Sequence, residues 1–169
     1  TSNVPGVAAN DNEFKTNNPN FQCPSDPNST PTNNNCSYFG VQGGGPTPAC
    51  STQSGQRVFY LNGVLIHNGE IGMASLTDGS SNVFLLGESR YHLTKGGRSD
   101  GIAASWASGG KCDTWGMPLV CAAAKEQINS VATHGGKVDT LNIQSRLFGS
   151  FHPGGCNFAL SDASVHFVP

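Results

Sequence analysis

Charged residues are scarce in this chain of 169 residues. Lys and Arg together number 9, Asp and Glu number 11, and the formal net charge is −2. Proteins that bind nucleic acid usually carry a basic patch or stripe, and anionic membranes attract clusters of Lys and Arg. Because this sequence has neither, its composition argues against a nucleic-acid partner and against membrane contact by this segment.

Long apolar runs and the familiar catalytic motifs are also missing. No stretch approaches the roughly 20 apolar residues that a membrane-spanning helix needs. The chain contains no G-x-S-x-G, no P-loop, no G-x-G-x-x-G after a strand and no C-x-x-C-H. We therefore predict a non-enzymatic protein without a cofactor, calcium being the one ion considered below.

Cysteine is present in an even number, six, in a chain rich in Asn and Thr. This pattern is typical of exported, oxidised proteins and predicts an extracytoplasmic location: cell surface, secreted or periplasmic. The favoured disulfides, of which the first two close short turn-rich loops, are Cys23–Cys36, Cys112–Cys121 and, by elimination, Cys50–Cys156. The alternative is that one or two cysteines are buried free thiols. A zinc site is disfavoured, since no C-x2-C spacing occurs.

Apolar periodicity predicts an α+β domain with a mostly antiparallel sheet, long loops and little helix. An extended N-terminal arm, residues 1–20, precedes a single domain over residues 21–169. Strands are expected at 37–41, 57–61, 64–66, 83–87 and 103–107 and in a C-terminal hairpin. Short helices are expected at 71–76 and 118–128.

Three motifs follow one another along the chain. The first is Phe21-Gln-Cys-Pro-Ser-Asp-Pro27, and the second runs from Asp78-Gly79 to Gly87-Glu88. The third places His152 and Asp162 ten positions apart, followed by Ala163. Together they resemble a pilin-like family of planctomycete bacteria, of unknown function, with the elements F-x-C-P-S-D-P, D-G-T-S-N-T-x-x-x-G-E and H-x(9)-D-G.

The resemblance implies a pseudopilin-like globular head that acts in assembly or adhesion with other protein chains, as a homo-oligomer or filament. The alternative is a binding or structural subunit of a larger extracytoplasmic complex. Similar family members begin with a prepilin-type leader and a long apolar helix. That part is expected to be cleaved or left out here, so that a partner chain covers the exposed face of the sheet.

His152 and Asp162 flank the hairpin and are expected to meet, the carboxylate orienting the imidazole. We interpret the pair as structural. A metal ligand with its outer partner is the weaker alternative, and it would suit a metal-dependent hydrolase. Asp162 also lies in a turn, where its side chain can accept from a backbone amide without His152. Ala163 replaces a family glycine, so a positive φ there would cost on the order of 1 kcal/mol.

The second motif offers oxygen donors, of which Asp78 and Asn82 are weak calcium candidates. A capped turn at Asp78-Gly79 is the favoured interpretation. Glu88 follows an apolar strand and is expected to be a buried or half-buried structural carboxylate, paired with Arg90 or with a backbone amide. Asn157 belongs to the same structural set in the third motif.

Overall fold

The computed structural model describes residues 16–27, 29–32, 35–52, 55, 57–90, 112, 120–130, 133–134, 137–138 and 146–169. The strands are β1 Tyr38–Val41, β2 Cys50–Thr52, β3 Arg57–Phe59, β4 Phe84–Glu88, β5 Cys121–Ala122, β6 Thr133–His134, β7 Lys137–Val138, β8 Cys156–Leu160 and β9 Val165–Val168. Helix in these residues is limited to 3-10 conformation, in the turns Pro19–Phe21, Met73–Ser75 and Ser80–Asn82 and at Arg146. The expected helix-poor, mostly β fold is confirmed.

One five-stranded sheet organises these elements in the order β5-β1-β4-β8-β9. Its neighbours pair antiparallel, except β1 and β5, which are parallel. The shorter strands form two separate two-stranded ribbons, one of β2 with β3 and one of β6 with β7. The strand predicted at 83–87 is confirmed as β4, in the centre of the sheet, and the C-terminal hairpin is confirmed as β8 and β9.

Two predicted elements are wrong where the structure describes them. Residues 64–66 form bends instead of a strand. The Ala-rich stretch within 118–128 contributes strand β5, because Val120 and Ala122 carbonyls accept from the amides of Gly40 and Gln42. Pairing at the sheet edge thus overrides the helix propensity of alanine. At 71–76 only the 3-10 turn Met73–Ser75 forms, while the strand predicted at 103–107 and residues 1–15 of the predicted arm lie outside the described residues.

Aromatic rings cover one face of the central strand β4. Phe148 and Phe158 meet edge to face with their centroids 5.1 Å apart, and both are buried. A Cβ at Gly87 would lie 2.5 Å from the Phe158 ring and 2.6 Å from Phe148, so only glycine lets the rings close over the strand. Since successive strand residues point to opposite faces, Glu88 is directed away from this core.

The disulfide pattern corrects all three predicted pairs. Cys50 is bonded to Cys112, and Cys23, Cys36, Cys121 and Cys156 are free. Loop length was the wrong guide, because strand pairing decides where the cysteines lie: Cys121 sits in β5, and Cys156 begins β8. The free-thiol alternative therefore holds for four cysteines, more than the one or two expected.

The described part of the chain contains no helix with the length and apolar character needed to span a bilayer.

Candidate functional site

The three sequence motifs meet at one buried cluster. Cys23 Sγ lies 3.6 Å from Glu88 Oε1 and 3.6 Å from His152 Nε2. His152 Nε2 lies 3.2 Å from the same Oε1. Among the described residues this is the one group of three or more His, Cys, Asp or Glu side chains whose ligand atoms could hold a metal ion.

Cys23 is held at the start of a tight turn. The amide of Asp26 donates to the Cys23 carbonyl at 3.0 Å, with Pro24 in the turn position where its fixed φ is favourable. Ser37, just before β1, anchors this segment to the sheet: its amide donates to the Phe21 carbonyl at 2.7 Å. Its hydroxyl donates to Asp26 Oδ2 at 3.4 Å, and both side chains are buried.

Glu88 is the centre of the cluster and is only 3 % exposed. Its two carboxylate oxygens have different partners. Oε2 accepts from the main-chain amide of Asn157 at 2.6 Å and from the Asn157 side-chain amide at 3.1 Å. Oε1 faces Cys23 and His152. The paired strands β4 and β8 thus fix the carboxylate through one oxygen and leave the other for the cluster.

His152 reaches the cluster from the turn that precedes β8. Its main-chain amide donates to Ser150 Oγ at 3.0 Å, and that hydroxyl in turn donates to the Gly155 carbonyl at 2.7 Å. The side chain of His152 keeps 30 % exposure, against 4 % for the Glu88 side chain. The imidazole therefore forms the solvent side of an otherwise buried site.

Burial raises the pKa of the thiols and the phenol that surround Glu88. Burial, and then the charge of Glu88, raise the pKa of the Cys23 thiol. Burial raises the pKa of Tyr38 to about 12, with further contributions from Cys23 and Glu88. Burial, followed by Glu88, raises the pKa of Cys156 to about 12. In the metal-free protein Cys23 is consequently a neutral thiol near pH 7.

Asp162 does not take part, contrary to the expected His152–Asp162 contact. It lies in the turn at the other end of β8, where Oδ1 accepts from the Ser164 amide at 2.9 Å and from the Ser164 hydroxyl at 2.7 Å. Strand β8 separates the two turns, and the imidazole of His152 contacts Glu88 instead of Asp162. Asp162 satisfies its own turn, and Ala163 beside it has φ +68°, a strained conformation that a glycine would adopt freely.

The Asp78–Asn82 segment is also remote from the cluster. The Asn82 side-chain amide donates to the Asp78 carbonyl at 2.7 Å, and Gly79 has φ +84°. This is a turn closed by its own amide, with Asp78 and Asn82 both exposed. Arg90 donates to the carbonyls of Asn129 and Ser150. Of the two partners expected for Glu88, the backbone amide is the one found, and His152 is a further partner.

The geometry does not form a nucleophilic relay. In such a relay the carboxylate orients the imidazole through one ring nitrogen while the nucleophile contacts the other. Here Cys23 and Glu88 both approach Nε2 of His152. Beside them lies a small open pocket whose lining includes Cys23, Asp26, Ser37, Glu88 and Ser150.

Sequence reasoning missed Cys23 as a partner of His152, since it treated this residue as half of a disulfide. The signal was nevertheless present: each member of the cluster sits in a different motif of the three. Cys23 belongs to the first, Glu88 ends the second and His152 begins the third. Side chains that belong to separate motifs of one family are candidates for a shared site even when they are distant in sequence.

Fold and site together define a β-rich domain with a buried cysteine–glutamate–histidine cluster at its centre. Over residues 2–169 the chain matches the family described as "Protein of unknown function (DUF1559)". The chain belongs to this family. No curated protein and no solved structure gives a significant match to it.

Proposed function

We propose that the chain is an exported, non-enzymatic, pilin-like domain that works by assembling with further copies of itself through strand β9. The observation that carries this proposal is the exposure of that strand. Val165, His166 and Phe167 are consecutive and all exposed, Val165 at 66 % and Phe167 at 50 %. Because successive residues face opposite sides of a sheet, the first three residues of β9 are exposed on both faces, whereas Val168 packs against the core.

Among the described strands, β9 is also the last of its sheet and pairs with β8 alone. Edge strands present unpaired backbone groups that can bind a strand of another chain, and natural proteins commonly protect them with charge or proline. The four residues of β9 contain neither. An edge strand with exposed Val165 and Phe167 is suited to extending the sheet into a second copy.

Two features support export and the absence of catalysis. Disulfides persist mainly in oxidising compartments, and Cys50 and Cys112 are bonded. The cluster offers a neutral thiol rather than a thiolate, since burial raises the pKa of Cys23, and the thiolate is the nucleophilic form.

Analytical ultracentrifugation over a wide concentration range tests the proposal. We expect reversible self-association of the wild type and a loss of at least about 10-fold in affinity for Val165→Thr/Phe167→Thr, equivalent to about 1.4 kcal/mol. Threonine keeps the strand propensity while removing apolar surface. The matched control is Met73→Thr, because Met73 is 65 % exposed but lies in a 3-10 turn away from β9.

A wild type that stays monomeric at every concentration contradicts self-assembly. The remaining candidate is then a subunit of a larger extracytoplasmic complex, which presents the same strand to a different chain. Native mass spectrometry of the protein purified from its source decides this: a defined mass containing other chains supports the complex, whereas homopolymers support the pilin-like role.

A further inference from the structure

We infer that Cys23, Glu88 and His152 form a binding site for a tetrahedral first-row divalent ion, of which Zn²⁺ is the expected occupant. This inference is independent of the assembly function proposed above. It rests on the positions of three donor atoms, one sulfur, one oxygen and one nitrogen, which come from three separate segments of the chain.

The separations of the donors agree with the edges of one tetrahedron. Zinc bonds of about 2.3 Å to sulfur and about 2.0–2.2 Å to nitrogen or oxygen place tetrahedral ligands about 3.6 Å apart for S–N and S–O, and about 3.4 Å apart for N–O. The observed distances are 3.6 Å, 3.6 Å and 3.2 Å. A single ion can therefore contact all three atoms with little movement of the side chains.

Hydrogen bonding accounts for only two of the three contacts. The Cys23 thiol and His152 Nε2 can carry at most one proton each, and both can donate to Glu88 Oε1. No proton then remains for the 3.6 Å contact between Sγ and Nε2. A tetrahedral ion bound to the three donor atoms would lie outside their plane and accept a lone pair from each.

The outer partners of the cluster suit a metal ligand. Asn157 holds Glu88 Oε2 through two hydrogen bonds, so Oε1 is oriented as a monodentate donor. Such outer hydrogen bonds orient metal ligands in known sites. In the described residues, His152 is the only basic side chain paired with this buried carboxylate, and a divalent ion would supply the positive charge that a buried carboxylate requires.

The choice of ion follows from the donor set. A mixture of sulfur, nitrogen and oxygen donors is typical of zinc and distinguishes the site from calcium or magnesium sites, which use oxygen. Cys23 and Glu88 line the adjoining pocket, so the fourth position is open to water or to a further donor. Whichever donor completes the tetrahedron, the ion would join the three motif segments in the folded state.

Cobalt titration of the full chain, after removal of metals with a chelator, tests the site. Co²⁺ takes the place of zinc, and a thiolate bound to it gives a charge-transfer band in the near ultraviolet together with visible bands of tetrahedral cobalt. We expect one Co²⁺ per chain with both signals, and displacement of the cobalt by Zn²⁺. A wild type that binds no Co²⁺, or binds it without the thiolate band, overturns the proposal.

Variants locate the site within the chain. Cys23→Ser and His152→Asn are expected to weaken binding by more than the about 10–100-fold that loss of an outer partner costs, and Asn157→Ala by about that amount. Cys121→Ser is the matched control, because this free cysteine lies in β5 and should keep wild-type binding. A thiolate band that persists in Cys23→Ser overturns the assignment. If either ligand variant fails to fold, the wild-type spectrum and Asn157→Ala still decide the matter.

Discussion

The two turns that flank β8 belong to one sequence motif but are stabilised in different ways. The turn before β8 sends His152 to Glu88 in a buried cluster assembled from distant parts of the chain. The turn after β8 is closed locally, by Asp162 and Ser164, and is exposed. Fixed spacing within a motif therefore does not imply contact, since an intervening strand can hold the two ends of the motif apart.

The largest expected effect on stability comes from replacing Glu88, the centre of the cluster that His152 joins from the first turn. In chelator-containing buffer, Glu88→Ala should lower the free energy of unfolding by about 2–4 kcal/mol, because the amides of Asn157 lose their buried acceptor. Urea denaturation measures this. The matched control is Glu70→Ala, an exposed glutamate whose loss should stay within about 0.5 kcal/mol. Equal losses in the two variants would contradict the central role of Glu88.

His152 should follow with a smaller loss. His152→Ala is expected to cost about 1–3 kcal/mol, as deletion of a partly buried hydrogen-bonded group does. His166→Ala is the control, because His166 is exposed on β9 and its imidazole Nε2 lies 3.1 Å from Ser164 Oγ in the second turn. That variant should stay within about 0.5 kcal/mol of wild type. Thermal unfolding of both in the same buffer compares them, and an unchanged melting temperature for His152→Ala would contradict the structural role.

The two turns should respond to pH with opposite sign. Near the first turn, burial raises the pKa of Cys156 from 9.0 to about 12, so unfolding releases a proton above pH 9 and stability falls from there toward pH 12. At the second, hydrogen bonds from Ser164 lower the pKa of Asp162 below 3.8, so its contribution is complete above that pH and is lost as the pH falls further.

Denaturation midpoints measured from pH 3 to pH 11 test this contrast. Cys156→Ala should flatten the alkaline limb and Asp162→Asn the acid limb, with the alkaline limb the steeper because Asp162 is exposed. A Cys156→Ala variant with an unchanged alkaline limb would show that this thiol is not responsible.

The smallest expected effect is a gain of stability at the second turn. Ala163 has φ +68°, where an alanine pays a steric penalty that glycine avoids. Part of that gain is offset by the greater freedom of glycine in the unfolded chain, so Ala163→Gly should stabilise the protein by about 0.5–1 kcal/mol. A loss of stability on chemical denaturation would contradict the strained geometry of this turn.

Local sequence patterns predicted those parts of the fold that depend on neighbouring residues. The alternation in the C-terminal stretch predicted the hairpin of β8 and β9, and the apolar run at 83–87 predicted the central strand. The Ala-rich segment near Cys121 was misread, because its conformation depends on pairing with Gly40, far away in the chain. Helix propensity is a weak prior that tertiary pairing routinely overrides.

The candidate site was predictable only in pieces for the same reason. Glu88 was recognised as a buried carboxylate and His152 as a residue held by a partner, but the partner was assigned by proximity in the sequence. Cys23 was paired with Cys36 by loop length. The spacing of metal ligands along a chain identifies zinc sites formed by short loops, whereas a site assembled from three distant segments leaves no such spacing.

The strand order bears on when the protein can fold. In the five-stranded sheet, only β8 and β9 are neighbours both in space and along the chain. The central strand β4 pairs with β1, which precedes it, and with β8, which follows much later: Glu88 and Asn157, which join β4 to β8, are 69 residues apart. Domains dominated by such non-local pairings fold slowly. A ribosome or translocon would release most of this chain before β8 appears, so β4 must remain without one of its partners until then. Protection of that apolar strand against aggregation is therefore a task for the folding machinery, and one that ends when the C-terminal hairpin docks.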